Sequence, residues 1–288
     1  MPFSYSVFTV MMPEFGIVES AALLKSLGYN GVEWRVHSVP STFPDKPDFW
    51  RGNHATIDID TIVKTAPEIR RITEDAGLEI VGLGTYLGYK LLDDIAKCME
   101  AAQIMGCKSI RVSPPNYDGS VNYNDLYEEA VEGYAMVEDL AREYGVRANI
   151  EIHHGNMCSS ASLTSRLVSN FDPDNVGVIY DPGNMVCEGY ENWQLGLELL
   201  GPYLSHVHVK NSAWVETGPT EQGEKRWKLV KVATKDGHVD WTEMLLALNK
   251  VGYNGWLSFE DFSLGDTKTK LADNIAYMKD LVSRLGLE

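Results

Sequence analysis

The chain has 288 residues, 44% of them hydrophobic and 23% charged, a balance that supplies a full core and excludes a disordered chain. With 41 acidic against 25 basic residues its formal net charge is −16, and the summed field repels nucleic acid and anionic membrane, so neither is expected as a partner. No apolar stretch approaches membrane-spanning length and the opening MPFSYSVFTVMMPEFG has no secretory pattern, which makes the cytoplasm the expected compartment.

In chain order, short apolar runs alternate with helical patterns. The first run is SYSVFTV at 4–10; an amphipathic segment then ends at GYNG (28–31), and GVEWRVH (31–37) reads as the second strand. Residues 38–60 form a segment long enough to be a lid-like loop, overlapping the start of a helical pattern in Ile59, Ile62, Val63, Ala66, Ile69 and Ile72. LEIVGLGTY (78–86) and SIRVSPP (109–115) are the next strands. Leu126, Ala130, Tyr134, Val137 and Ala141 then keep helical spacing as far as Gly145, which stands where a C-cap glycine belongs. VRANIEIH (146–153), NVGVIYDPG (175–183), LSHVHVKN (204–211) and, after a second GYNG, GWLSFED (255–261) complete eight strands, with a last helix on Leu271, Ile275, Met278 and Val282.

Strand alternating with helix means parallel strands joined by right-handed crossovers. Eight such units, with no GxGxxG after the first strand, favour a closed (β/α)8 TIM barrel over a doubly wound sheet, as a single domain over 1–288. Four scattered cysteines, Cys98, Cys107, Cys158 and Cys187, show no CxxC or disulfide-dense pattern and read as reduced bystanders.

Chemistry in such barrels gathers at the carboxyl ends of the strands. Strand five ends in Glu151 with His153 and His154 just beyond, strand six in Asp181, strand seven in His208, and strand eight in Glu260. His206 shares a strand face with His208 and alone would read as a satisfied core histidine. Three carboxylates on one rim cannot all ionise cheaply without a cation, and oxygen donors with one imidazole suit Mn²⁺ first, then Mg²⁺ or Co²⁺.

Glu151 at a strand end, YDPGN with Asp181, HVHVKN with His208 and GYNGWLSFED with Glu260 together resemble the xylose-isomerase-like TIM barrel superfamily of sugar isomerases and epimerases, over nearly the whole chain. The resemblance implies that Glu151, Asp181, His208 and Glu260 hold one divalent metal. In the ketose 3-epimerase branch, the residues matching Glu151 and Glu260 also carry the protons, one on each face of the sugar. Proton removal and return through a metal-stabilised enediolate would then epimerise the substrate, and return at the adjacent carbon would isomerise it. The chain departs from that branch at Asn184, where the branch has histidine, and at Trp214, where it has arginine. DNA-repair endonucleases of the superfamily need a histidine-rich zinc cluster, which a chain with 7 histidines and excess acid does not suit.

For the substrate, Trp50, Arg51 and Asn53 lie in the lid-like loop, and Trp34, Trp214 and Tyr86 fall near strand ends where flat rings stack on sugars. Lys210 is expected to hydrogen-bond a substrate hydroxyl or else pair with an acid; Asn184 occupies a changed substrate contact; His153 is either a further base or a partner of a metal carboxylate. Without a glycine-rich phosphate cradle, an unphosphorylated sugar is expected. The leading reading is a metal-dependent sugar isomerase or epimerase. The first alternative is a metal-dependent lyase that cleaves 3-keto-glycosides, C- or O-linked, with a small partner subunit completing a hetero-oligomer; a homo-oligomer suits the isomerase. The second alternative is a non-catalytic sugar-binding barrel.

Overall fold

Alternate side chains of a strand leave by opposite faces, and here one row of each apolar run enters a barrel while the other packs on helices. The computed structural model describes residues 3–288, so Met1 and Pro2 of the expected 1–288 domain lie outside the described residues. The strands are β1 (Ser4–Phe8), β2 (Gly31–His37), β3 (Thr56–Asp58), β4 (Glu79–Gly84), β5 (Ser109–Arg111), β6 (Arg147–Glu151), β7 (Val176–Tyr180), β8 (Leu204–Val209), β9 (Asn211–Pro219), β10 (Lys225–Val232) and β11 (Trp256–Phe259). The helices are α1 (Ile17–Leu27), α2 (Ile62–Asp75), α3 (Leu92–Met105), α4 (Tyr123–Tyr144), α5 (Ala161–Val168), α6 (Pro182–Met185), α7 (Trp193–Leu200), α8 (Trp241–Lys250) and α9 (Thr267–Arg284).

Parallel pairing runs β1-β11-β8-β7-β6-β5-β4-β2, and β2 pairs back onto β1, which closes the (β/α)8 barrel. All eight expected strands form this ring. Gly28 and Gly145 take left-handed φ values of 87° and 62° at the ends of α1 and α4, the conformation that only glycine adopts without strain, so each helix stops where the chain must turn back to the sheet. The helices bury one stripe each against the outer face of the barrel, as Leu126, Ala130, Tyr134, Val137 and Ala141 of α4 do. Among the described residues no helix is long and apolar enough to cross a membrane.

Two insertions were not anticipated. β9 and β10 form an antiparallel hairpin directly after β8, and β3 adds to the outer edge of β2. The lid-like loop is therefore shorter than 38–60: residues 38–55 hold no helix or strand, and Thr56 begins β3. Asn53 pins this loop to the barrel. Its Nδ2 donates to the Val10 carbonyl at 2.9 Å and the Phe49 carbonyl at 3.4 Å, and its Oδ1 accepts from Ala55 N at 2.9 Å. Beside it Gly52, at φ 64°, leaves room for the ring of Pro44 where a Cβ would stand.

Asn53→Ala removes these bonds and leaves buried polar groups unpaired, at a cost of about 1–3 kcal/mol. Urea unfolding should register that loss, and limited proteolysis should cut faster within 38–55; an unchanged cutting rate would contradict the pinning role.

Candidate metal centre

Inward parity and strand ends bring four side chains together above the barrel axis. Glu151 closes β6, Asp181 follows β7, His208 lies in β8 and Glu260 follows β11. Measured from His208 Nδ1, Glu151 Oε1 is at 3.2 Å, Asp181 Oδ2 at 3.6 Å and Glu260 Oε2 at 3.8 Å. One donor atom from each of the four lies within 4.8 Å of the others, and all four residues are buried. Asp181 also caps α6, accepting from Asn184 N at 2.8 Å through Oδ1, which leaves Oδ2 to face the cluster.

Cations hold the acids in place. Arg111 Nη1 is 2.5 Å from Glu151 Oε2, and its Nε donates to the Thr85 carbonyl at 2.8 Å. Lys210 Nζ contacts Glu260, lies 2.7 Å from Asp181 Oδ2 and 3.7 Å from Glu151 Oε1. Burial pushes the Glu151 carboxyl up, but Arg111, with His208 and Lys210, holds it well below the usual carboxylate range. Glu260 goes the other way: burial, the largest influence, raises it and with the repulsion of Glu151 and Asp181 outweighs the pull of Lys210 and His208. Burial opposes a charge on His208, yet Glu33, Asp181 and Glu151 raise it well above the ordinary imidazole range.

The donor set fits a divalent cation. It is oxygen-rich with one imidazole, a combination suited to Mn²⁺, Mg²⁺ or Co²⁺. Asp181 Oδ2 is fully buried and, among the described residues, has no aligned hydrogen bond; Lys210 Nζ forms an ion pair with it from outside hydrogen-bond geometry. Lys210 meets part of its charge, and the oxygen faces the other three donors, where a divalent ion would be bound.

A cavity of about 550 Å³ opens over the cluster, within the range of small-molecule sites. Glu151, Glu260, Lys210, Asn184 and His153 form its polar side. Its other side is aromatic: Phe262 lies 5.1 Å from Phe49 and 5.3 Å from Trp50, and Tyr86 is 6.3 Å from Trp50, measured between ring centres. His153 stacks on His154 at 4.3 Å. Burial, with Lys210 and His154, outweighs Glu151 and pulls His153 below the usual imidazole range, so it is neutral at neutral pH. Asn184 joins the wall to the cluster by donating to Glu151 Oε1 at 3.2 Å and to the Ile152 carbonyl at 3.1 Å.

Four residues expected to touch substrate lie elsewhere. Trp34 alternates with the inward Glu33 and Arg35, so it points outward and donates to Thr73 of α2 at 3.2 Å, fully buried. Asn53 is consumed by the loop contacts. Arg51 turns to solvent and pairs with Asp48 at 3.0 Å. Trp214 sits on the β9 hairpin, tied through Nε1 to the Val186 carbonyl at 3.0 Å, off the cavity wall. Of the loop residues proposed, Trp50 alone lines the cavity.

Glu33 and Arg111 join the site although neither was expected there from the sequence. Each is a charged residue within an apolar strand run, and that mismatch was the available signal. A further cluster borders the cavity at His154 and Lys231: Lys231 Nζ is 3.6 Å from Cys187 Sγ and donates to Ser212 Oγ at 3.1 Å. Burial raises Cys187, but His154, Lys231 and Ser212 bring it below the ordinary thiol range, whereas burial pushes Cys98, Cys107 and Cys158 up to about 12.

The family model described as xylose isomerase-like TIM barrel matches residues 21–281. An inosose dehydratase of Geobacillus kaustophilus is 26% identical over 139 residues, 46% of this chain and 45% of that enzyme. The chain's match thus spans about half the length of such curated relatives. Among solved structures, the 3-keto-D-glucoside 4-epimerase of E. coli superposes with a TM-score of 0.72 at 16% identity, covering 96% of this chain and 99% of that one. The IOLI protein with a bound zinc atom superposes with a TM-score of 0.74 at 15% identity, covering 98% and 99%. These structural likenesses concern the fold.

Calorimetric titration with Mn²⁺ should find one site in the wild-type protein, and Asp181→Asn should weaken it by more than the roughly 10–100-fold that loss of an outer-shell partner costs. An unaltered Kd would remove Asp181 from the donor set. In a second experiment, iodoacetamide at mild alkaline pH should alkylate Cys187 first in the folded protein, read by peptide mass spectrometry; earlier labelling of Cys98, Cys107 or Cys158 would contradict the environment described.

Proposed function

The chain belongs to the xylose isomerase-like TIM barrel family, and on that premise we propose that it is a divalent-metal-dependent isomerase or epimerase of an unphosphorylated sugar, with Mn²⁺ as the metal. The observation that carries this reading is the pair Glu151 and Glu260: both line one cavity and both turn an oxygen to the same four-residue cluster. Two carboxyl groups facing one cavity are suited to act as base and acid on one substrate.

Glu151, kept ionised by Arg111, takes the proton from a carbon beside the carbonyl. Glu260 returns a proton, on the opposite face for epimerisation or at the neighbouring carbon for isomerisation. Lys210 faces the negative charge that develops between those events. A divalent ion held by Glu151, Asp181, His208 and Glu260 would supply Lewis-acid stabilisation of that same charge. Asn184 orients Glu151 through the bond to Oε1. Arg111 and Lys210 are committed to buried carboxylates, which supports a substrate without phosphate. Residues 38–55 serve as the lid, with Trp50 laid over the mouth.

A second reading is elimination, as in a lyase of 3-keto-glycosides. Its support is His153, a neutral imidazole on the cavity wall, together with the likeness to an inosose dehydratase. Here His153 would be the base, and the aromatic wall of Phe49, Trp50 and Phe262 would seat the departing group.

Incubation with Mn²⁺ and a panel of ketohexoses in D₂O should place deuterium on carbon and yield the epimer or isomer, read by NMR. Release of an aglycone from a 3-keto-glycoside without such exchange would favour elimination. Saturable sugar binding with neither outcome would contradict both readings.

A further inference from the structure

Of the four residues proposed to hold the ion, His208 alone can offer either of two nitrogens, so something must decide which one faces the carboxylates. The structure turns Nδ1 toward Glu151, Asp181 and Glu260 at 3.2–3.8 Å and puts Nε2 3.1 Å from Glu33 Oε2. A ring nitrogen that binds a metal carries no proton, so the ring's proton belongs on Nε2, where Glu33 accepts it. That same Glu33 oxygen accepts from His206 Nε2 at 3.0 Å and from Ser258 Oγ at 2.9 Å. The two further donors come from different strands, β8 and β11, and fix the carboxylate across the barrel interior toward the amino ends of the strands. Glu33 is buried, and Phe8 stacks on the His208 ring at 5.9 Å between centres, which restrains its rotation.

We infer that Glu33 is a positioning residue: it selects the Nε2–H tautomer of His208 and thereby sets Nδ1 as the imidazole donor of the metal centre. The inference rests on the metal-dependent reading above. Glu33, His206 and His208 also have donor atoms within 4.8 Å of one another, so a second ion between them is the competing arrangement, and it would require a bare Nε2. The positioning role predicts one ion per chain.

The test compares Mn²⁺ affinity of the wild type and Glu33→Gln, with the unfolding midpoint of each in chelator recorded separately. Glu33→Gln keeps the shape but loses the charged acceptor, and Mn²⁺ binding should weaken roughly 10–100-fold, as expected for an outer partner of a metal histidine. His206→Gln retains a donor to Glu33 and should weaken binding less. A purely structural Glu33 would lower the midpoint and leave Kd unchanged, which overturns the inference, as does a stoichiometry of two ions. If Glu33→Gln does not fold, long-range ¹H–¹⁵N spectra of the wild type loaded with diamagnetic Mg²⁺ decide the matter: a proton on Nε2 of His208 supports the assignment and a proton on Nδ1 overturns it. Wild-type protein that binds no divalent ion at all would instead defeat the metal-dependent reading on which the inference stands.

Discussion

The constraint on which this structure depends is the convergence of buried carboxylates. Glu151, Asp181 and Glu260 meet at one point, and Glu33 lies on the other side of His208. Like charges at such separations, out of water, force either protonation or compensation. The barrel compensates: Arg111 pairs with Glu151, Lys210 with Asp181 and Glu260, and the two histidines with Glu33. Stripping one partner from a buried pair of this kind costs about 3–5 kcal/mol, because the charge left behind has no solvent. A polar interior of this kind adds little net stability over an apolar one.

That geometry follows from strand parity. Glu33 and Arg35, His206 and His208, and Asn149 and Glu151 are inward residues two apart, while Trp34, Val207 and Ile150 alternate with them and join the outer core. Stability thus comes from the layer between sheet and helices, where the hydrophobic cluster runs from Phe3 to Val282. The barrel interior is left free to hold charge. The loop over 38–55 and the hairpin of β9 and β10 then shape the mouth without taking part in the ring.

The ring itself was legible in the sequence because its strands are short apolar runs punctuated by turn glycines, and because eight of them alternate with helical spacing. The four strand-end residues were legible for a related reason: acids and an imidazole at the carboxyl end of a barrel strand have few structural reasons to be there. The hairpin was not, since VETGPTEQGEKRWKLVKV alternates charge with few apolar residues and is held by pairing to itself. Contacts to substrate were the hardest to place. Parity within GVEWRVH sends Trp34 outward to α2 and Glu33 inward to the barrel, whatever the ring's chemical suitability for a sugar. Arg51 and Asn53 lie in a loop whose fold is set by Asn53 and Gly52 themselves, and no periodic pattern announces that.

The family and the fold bring the chain to a class of barrels that includes both epimerases and dehydratases among its likenesses. In the proposed readings, epimerisation and elimination differ in where the proton goes after it leaves carbon, and Glu260 and His153 border the same cavity as Glu151. The central claim beneath either outcome is that one ion organises the four strand-end donors. Anomalous diffraction from crystals grown with Mn²⁺ tests it most directly. A single peak is expected, bonded to an oxygen each of Glu151, Asp181 and Glu260 and to Nδ1 of His208. A barrel without a peak there, or a peak ligated through Nε2 of His208, would contradict it.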